Sequence, residues 1–263
     1  MRLKVKGIFF ALCAAMLMTS VQHRACGQDA DGTVVNTAAQ QLLVLANRTR
    51  GETGADRLRW DPALAAAALK HCRRMAAEGP ISHRYEGEPD VAGRAGQAGA
   101  HFSVIEENVA VGPSAAVIHD EWMQSPGHRS NLLSTDVNRV GIAVIASHGV
   151  LYAVADYSRG VESVGGREAE ERVGALIRQS GLTIIGDSSV ARAACAMESG
   201  VPGATTPRPG FVMRWQDSQL DKLPDALTAR ISTGQFHRAA VGSCPAQGAQ
   251  GSFTVYRFAV LLY

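Results

Sequence analysis

The chain reads as an α+β protein on three observations. Apolar residues recur at helical spacing through its first half, two alternating β-branched segments follow those helices, and a Gly/Ser break near residue 160 precedes a second set of helices and strands. Its 263 residues, 46% of them hydrophobic and 19% charged, have the proportions of a globular protein with one large or two ordinary domains. The net charge is +2, the basic residues are dispersed, and no basic arm carries interleaved aromatics, so nothing supports a nucleic-acid partner.

Asn36 to Arg48 places Ala38, Leu42 and Leu45 at helical spacing and predicts a first helix, stopped near Gly51 and Gly54. The second helix carries the clearest signal: Asp61 caps it, Pro62 sits in its first turn, and Leu64, Ala68, Cys72 and Met75 share one face until Gly79-Pro80 ends it. Residues 84–104 have no sustained period and are expected to form a long loop or short helical turns. Pro113 or Ser114 opens a third helix, with Val117, Ile118, Glu121 and Trp122 expected inward or toward a site, and Ser125-Pro126-Gly127 stops it. A helical turn from His128 to Leu133 follows. Val140 to Ala146 and Leu151 to Tyr157 read as strands joined at Ser147-His148-Gly149.

These elements define a first domain over 36–158, a linker over 159–166 and a C-terminal α+β domain over 167–263. The second domain is expected to contain helices over Glu168 to Gln179, from Asp187-Ser188-Ser189 to Cys195 and over Leu220 to Ile231, with strands at Val241 and Phe253 to Tyr263. Its order can be laid beside the first at Asp61 with Asp187, Cys72 with Cys195, and Arg139-Val140-Gly141 with Arg238-Ala239-Ala240. A degenerate repeat and an unrelated α+β appendage both fit that pattern.

Residues 1–27 read as a signal peptide. Arg2, Lys4 and Lys6 precede the apolar run Ile8 to Met18, which is too short to span a bilayer, and cleavage is expected between Ala25 and Ala30. Acylation of Cys26 is disfavoured by charged Arg24 two positions before it. The protein is therefore expected to be secreted or to lie in the periplasm or cell envelope, with no transmembrane span once mature. In such a compartment Cys195 and Cys244 are expected to form a disulfide, whereas Cys72, on an apolar helix face, reads as a buried thiol.

The segment Glu121-Trp122-Met123-Gln124-Ser125-Pro126-Gly127-His128-Arg129-Ser130-Asn131 places a histidine at the break after an amphipathic helix. Ser82-His83-Arg84 and Glu106-Glu107-Asn108-Val109-Ala110 stand upstream of it. Together, over residues 36–158, these segments resemble the CAP superfamily of cysteine-rich secretory, antigen 5 and pathogenesis-related SCP domains, in its bacterial form. That resemblance implies a three-layer α-β-α sandwich with a cleft lined by His83, His128 and Glu107. The family's second cleft glutamate falls on Ser125 here, and Glu106 replaces a usual glycine. It further implies that Asn108 bonds backbone around the cleft, that Trp122 fills the core and that Asn131 secures the turn after His128.

Two imidazoles and a carboxylate suit a divalent metal, Zn2+ or another, and Glu107 could orient a histidine, bind the metal or move a proton. The reading that follows is a secreted binding protein with a metal-holding cleft and an extracellular or envelope partner that is lipid, glycan or peptide. A zinc-dependent hydrolase of an extracellular peptide or envelope component, and an adhesive or structural surface protein with a vestigial cleft, stand as alternatives. The residues do not decide whether the protein is an enzyme. Protein recovered outside the cytoplasm should begin after about Gly27 when its N-terminus is sequenced; a chain starting at Met1 or Arg2 would remove the signal assignment.

Overall fold

Local signals in the sequence set most helix starts and stops in the computed structural model, which describes residues 32–203, 205–246 and 252–263. In chain order the first half contains β1 (Thr33–Val34), α1 (Asn36–Glu52), β2 (Arg59–Trp60), α2 (Pro62–Glu78), α3 (Val91–Gln97), β3 (Phe102–Gly112), α4 (Ala115–Gln124), α5 (Pro126–Leu133), β4 (Arg139–Ser147) and β5 (Val150–Gly160). The second half continues with α6 (Gly166–Gln179), β6 (Thr183–Ile184), α7 (Ser189–Ala196), β7 (Phe211–Asp217), α8 (Asp225–Ile231), β8 (Arg238–Cys244) and β9 (Tyr256–Leu262). The signal-peptide assignment lies outside the described residues.

The first sheet has the order β1-β4-β5-β3, with β2 joining β4 in parallel on the edge that β1 also uses. The β4–β5 hairpin turns at His148 and Gly149, whose φ values of 51° and 78° match the right-handed strand twist. Alternation along the hairpin then sorts side chains to two faces. Val144, Ala155 and Tyr157 pack with Leu42, Ile118, Trp122 and Leu132 of α1, α4 and α5. Ala143, Ile145 and Val154 pack with Ala68, Cys72 and Met75 of α2. Helices on both faces of an antiparallel-rich sheet make the three-layer α-β-α sandwich expected of residues 36–158.

Helix α2 begins as its sequence requires: Asp61 accepts from the amides of Ala63 at 2.9 Å and Leu64 at 3.2 Å, and Pro62 occupies the first turn. It lies so close to the sheet that a Cβ on Gly141 would stand 2.0 Å from the Ala65 amide nitrogen. No side chain fits there.

The second sheet, β6-β8-β9-β7, repeats the connectivity of the first. Helices α6 and α8 cover one face through Val173, Ile177 and Leu227, and α7 covers the other through Ala191, Ala194 and Cys195. Equivalent backbone bonds fix the alignment: Arg59 and Asp61 amides donate to Asn138 and Val140 carbonyls, as Thr183 and Ile185 amides do to those of His237 and Ala239. Arg139 is thereby matched with Arg238. The Gly141 contact has a counterpart one step further along the same face of β8, where a Cβ on Gly242 would lie 2.1 Å from the Arg192 amide.

Cys195 and Cys244 form a disulfide that ties α7 to β8, with Cα atoms 5.8 Å apart. Cys72 stays a buried thiol, pushed up to about 12 by burial, and its sulfur donates to the Tyr152 carbonyl. The described residues pack as one compact unit. Phe253 meets Phe102 edge-on at 5.1 Å, and the Thr254 amide donates to the Phe102 carbonyl.

Some elements differ from expectation. Strand β3 carries no clean alternation because both its faces are partly covered, and its Ile-Glu-Glu-Asn run hides a strand 11 residues long. Helix α3 occupies part of the segment expected as loop or short turns. Val117 and Glu121 of α4 face solvent, while Ile118, His119 and Trp122 face inward. The helix expected from Leu220 begins only at Asp225, after Pro224, and β7 is an element that the sequence pattern does not predict. Replacing Gly141 by alanine should push α2 from the sheet and lower unfolding free energy by about 3 kcal/mol or more in urea denaturation; unchanged stability would refute the close-packing account.

Candidate functional site

Glu107 stands on β3 directly opposite Asp156 of β5. Its carboxylate is nearly buried, and both oxygens are engaged. Oε1 meets His83 Nδ1 at 2.9 Å, and Oε2 accepts a hydrogen bond from Arg94 Nη2 of α3. Arg94 also donates from Nη1 to the carbonyls of His83 and Pro89, both at 3.1 Å. One buried guanidinium thus holds the carboxylate and the backbone of the histidine it faces.

The His83 loop is built around a second carboxylate. Glu88 accepts from the Tyr85 amide at 3.1 Å and meets His71 Nδ1 at 2.8 Å, while His71 Nε2 donates to the Ser82 carbonyl at 2.8 Å. Burial pushes the Glu88 carboxyl up, but His71, the Tyr85 amide and the Arg94 charge together bring it below its ordinary value. His71 belongs to α2, so this network pins the loop carrying His83 to a core helix.

His128 reaches the site from the other layer, in the first turn of α5, where Pro126 and the Ser125 break redirect the chain. Asn108 donates to the His128 carbonyl at 2.9 Å, and Asn131 donates to the Glu107 carbonyl at 3.0 Å and to Asn108 Oδ1 at 3.1 Å. The two asparagines fasten α5 to β3. Trp122 is buried and donates from Nε1 to the Val109 carbonyl at 3.2 Å, so it fills the core. Glu121 and Arg129 lie outside this network.

The imidazoles of His83 and His128 face each other with ring centres 6.4 Å apart. The hydrogen bond that Glu107 accepts, opposed by partial burial, raises the His83 pKa; burial and the charge of His83 lower that of His128. A tetrahedral ion with metal–nitrogen bonds of about 2.0–2.1 Å holds two such rings about 5 Å apart, so ligation closes them by roughly 1 Å. The His83 side chain, 58% exposed, has room for that movement. The pair therefore suits two positions of a metal shell. Glu107, expected beside them as a ligand, has its oxygens committed to His83 and Arg94, which is the arrangement that orients a ligating histidine. Among the described residues, no group of three or more His, Cys, Asp and Glu side chains is placed to hold a metal ion.

Asp156 lies outside the set of residues expected from the sequence. It is fully buried, neither oxygen meets a donor, and burial followed by the charge of Glu107 raises its pKa well above the usual carboxylate range. Its neutral acid form can donate to Glu107. The alternation Tyr152, Val154, Asp156 could have placed it on the α2 face, but Arg94 had no comparable signal, because it lies in a stretch without periodicity.

The fold that carries this arrangement matches a known family. The CAP family, described as the cysteine-rich secretory protein family, matches residues 43–157. Residues 43–157 are a CAP domain. A curated relative, the uncharacterized membrane protein YlbC of Bacillus subtilis, is 27% identical over 128 residues, covering 47% of this chain and 36% of that protein. This chain thus matches about a third of the relative's length. Among solved structures, an outer surface protein of Borrelia burgdorferi is 18% identical with a TM-score of 0.46, covering 49% of this chain and 98% of that one. An extracellular SCP-domain protein of Bacillus anthracis is 25% identical with a TM-score of 0.43, covering 47% of this chain and 41% of that one. No helix among the described residues is long and apolar enough to cross a membrane.

The state of Asp156 gives the CAP domain a pH signature. Its raised pKa means that its stabilising contribution is full below the unfolded carboxylate value of about 3.9 and is lost as pH rises through the folded value. Asp156→Asn should therefore raise the melting temperature at pH 8.5 and leave it nearly unchanged at pH 4. A melting curve at pH 8.5 no higher than wild type would contradict the buried-acid assignment.

Proposed function

We propose that the protein is an exported CAP-domain binding protein whose cleft holds a divalent metal, Zn2+ or a similar ion, through His83 and His128. The observation that carries this reading is an imidazole oriented by a carboxylate and facing a second imidazole. Glu107 occupies Nδ1 of His83, which leaves Nε2 as the ligating nitrogen opposite His128. A bound ion would add a Lewis-acidic point of attachment for an extracellular or envelope ligand, whether lipid, glycan or peptide. Export is supported by the signal-like N-terminus and by the Cys195–Cys244 disulfide, which belongs to an oxidising compartment.

Binding is favoured over hydrolysis by the state of Glu107. A general base needs a carboxylate oxygen open to water, and here one oxygen faces His83 while the other is held by Arg94. Asn108 and Asn131 spend their amides on holding α5 against β3, so neither is a group waiting for substrate.

Calorimetric titration with Zn2+ at pH 7.5 should give one modest-affinity event in wild type and none in His83→Ala/His128→Ala. Equal affinity in both would discard the site. Binding should weaken as pH falls. His83 is the group with the raised pKa, so protons compete there first, above the unperturbed histidine value of about 6.5.

A further inference from the structure

We infer that the second sheet carries a binding site for a phosphorylated sugar at the C-terminal end of β8, separate in its lining from the His83 cleft and independent of the metal reading. Comparison with the first sheet defines the place. There β1 pairs with β4 at Ile145 and Ala146. Matching Arg139 with Arg238 puts Cys244 and Pro245 at those two positions, and beside them lies a cavity of about 550 Å3. A further strand is not what this edge accepts. Pro245 has no amide to donate, and the Ser243 amide already donates to Glu170 Oε1 at 2.7 Å.

The charge of the wall selects an anion. Arg167, Arg192 and Arg257 line the cavity, and Glu170 is the one carboxylate among its described lining residues. That carboxylate is already spent. Its Oε1 accepts from Arg192 Nε at 2.8 Å and from the Ser243 amide and hydroxyl, and its Oε2 accepts from Arg192 Nη2 at 2.6 Å. Arg257, only 8% exposed, gives Nη2 to the Met197 carbonyl rather than to an acid. Burial and then the charge of Arg257 lower the pKa of its neighbour Arg214, so that charge reaches another cation instead of being neutralised. Among the described residues, the ion pairs around this cavity engage Arg192 and Arg172 but neither Arg167 nor Arg257. Two guanidiniums without an acid match the double charge of a phosphate monoester, which planar N–H forks bind in a bidentate way.

Volume and lining extend the ligand beyond phosphate to a sugar. At roughly 30 Å3 per non-hydrogen atom, a water's share of liquid, the cavity takes on the order of eighteen such atoms, against about sixteen in a hexose monophosphate and about five in free phosphate. Tyr256 supplies a ring to the wall, and the ring is held because its hydroxyl donates to the Glu162 carbonyl and accepts from the Val164 amide. Apart from the disulfide, the apolar wall is limited to Pro245, Ala246 and Val255, which gives an acyl tail little to lie against. The Cys195–Cys244 bond ties α7, the helix that carries Arg192, to the end of β8, so the wall is set before a ligand arrives.

The test is calorimetric titration of the full mature chain at low salt. Glucose 6-phosphate should bind saturably, inorganic phosphate at least about tenfold more weakly, and glucose not at all. Arg167→Ala, at an exposed position, and Arg257→Gln should each weaken the sugar phosphate at least about tenfold, whereas His83→Ala/His128→Ala should retain it. Circular dichroism selects the variants that keep the fold. Vesicles of phosphatidylcholine with phosphatidic acid present the same phosphate chemistry on a lipid, and they should sediment no more protein than phosphatidylcholine alone. No saturable binding of the sugar phosphate, equal affinity for inorganic phosphate, binding to the phosphatidic acid vesicles alone, or undiminished affinity in Arg167→Ala or in a folded Arg257→Gln would overturn the assignment. Loss of binding in the double histidine variant would overturn its independence from the cleft.

Discussion

The buried contact between Glu107 and Arg94 is the constraint on which the cleft depends. It joins the edge strand β3 to α3, and through the other nitrogen of Arg94 it fixes the backbone that presents His83. Two charges buried together cost desolvation, and such a pair is retained only when further hydrogen bonds satisfy it. Here His83 takes the second carboxylate oxygen, and the carbonyls of His83 and Pro89 accept from Nη1 of the guanidinium. Removing either partner would strand the other in a low-dielectric site, at a cost of about 3–5 kcal/mol. The cleft's chemistry and its local stability therefore rest on the same atoms.

A second constraint operates on the backbone. Gly141 and Gly242 let α2 and α7 settle directly on the central strands of their sheets, where any side chain would strike helix backbone. That approach positions His71 beside Glu88 and so supports the loop that carries His83. It also brings the start of α2 against the β4 edge, where Ala65 and Leu69 line a cavity with Ile142.

The two sheets share connectivity but not chemistry. Following the matched register, Glu107 of β3 corresponds to Val212 of β7, and Asp156 of β5 to Leu261 of β9. Apolar residues at those positions let the second sheet close its core without a buried charge network there. Its polar cluster lies elsewhere, at Glu170, Arg192 and Ser243, where it bridges helices and bonds the β8 backbone. The disulfide adds a covalent tie between α7 and β8, whereas Cys72 of the first sheet's α2 is a free thiol.

Local physical chemistry in the sequence determined where α2 starts, where α4 stops and where the β4–β5 hairpin turns, since caps, proline and positive-φ residues act within a few positions of themselves. Those signals, with the resemblance at His83, Glu107 and His128, named three members of the cleft. They could not reveal β3, whose residues meet cover on both faces and so lose the period of a half-buried strand. Nor could they reveal Arg94 or Asp156 as parts of the site, or the commitment of both Glu107 oxygens. A guanidinium on a short helix and an acid on a strand become partners of one carboxylate only when the chain has closed over them. Spacing carries periodicity, whereas burial and donor geometry exist only between segments, and it was the tertiary structure that decided which groups in this cleft are held and which remain open.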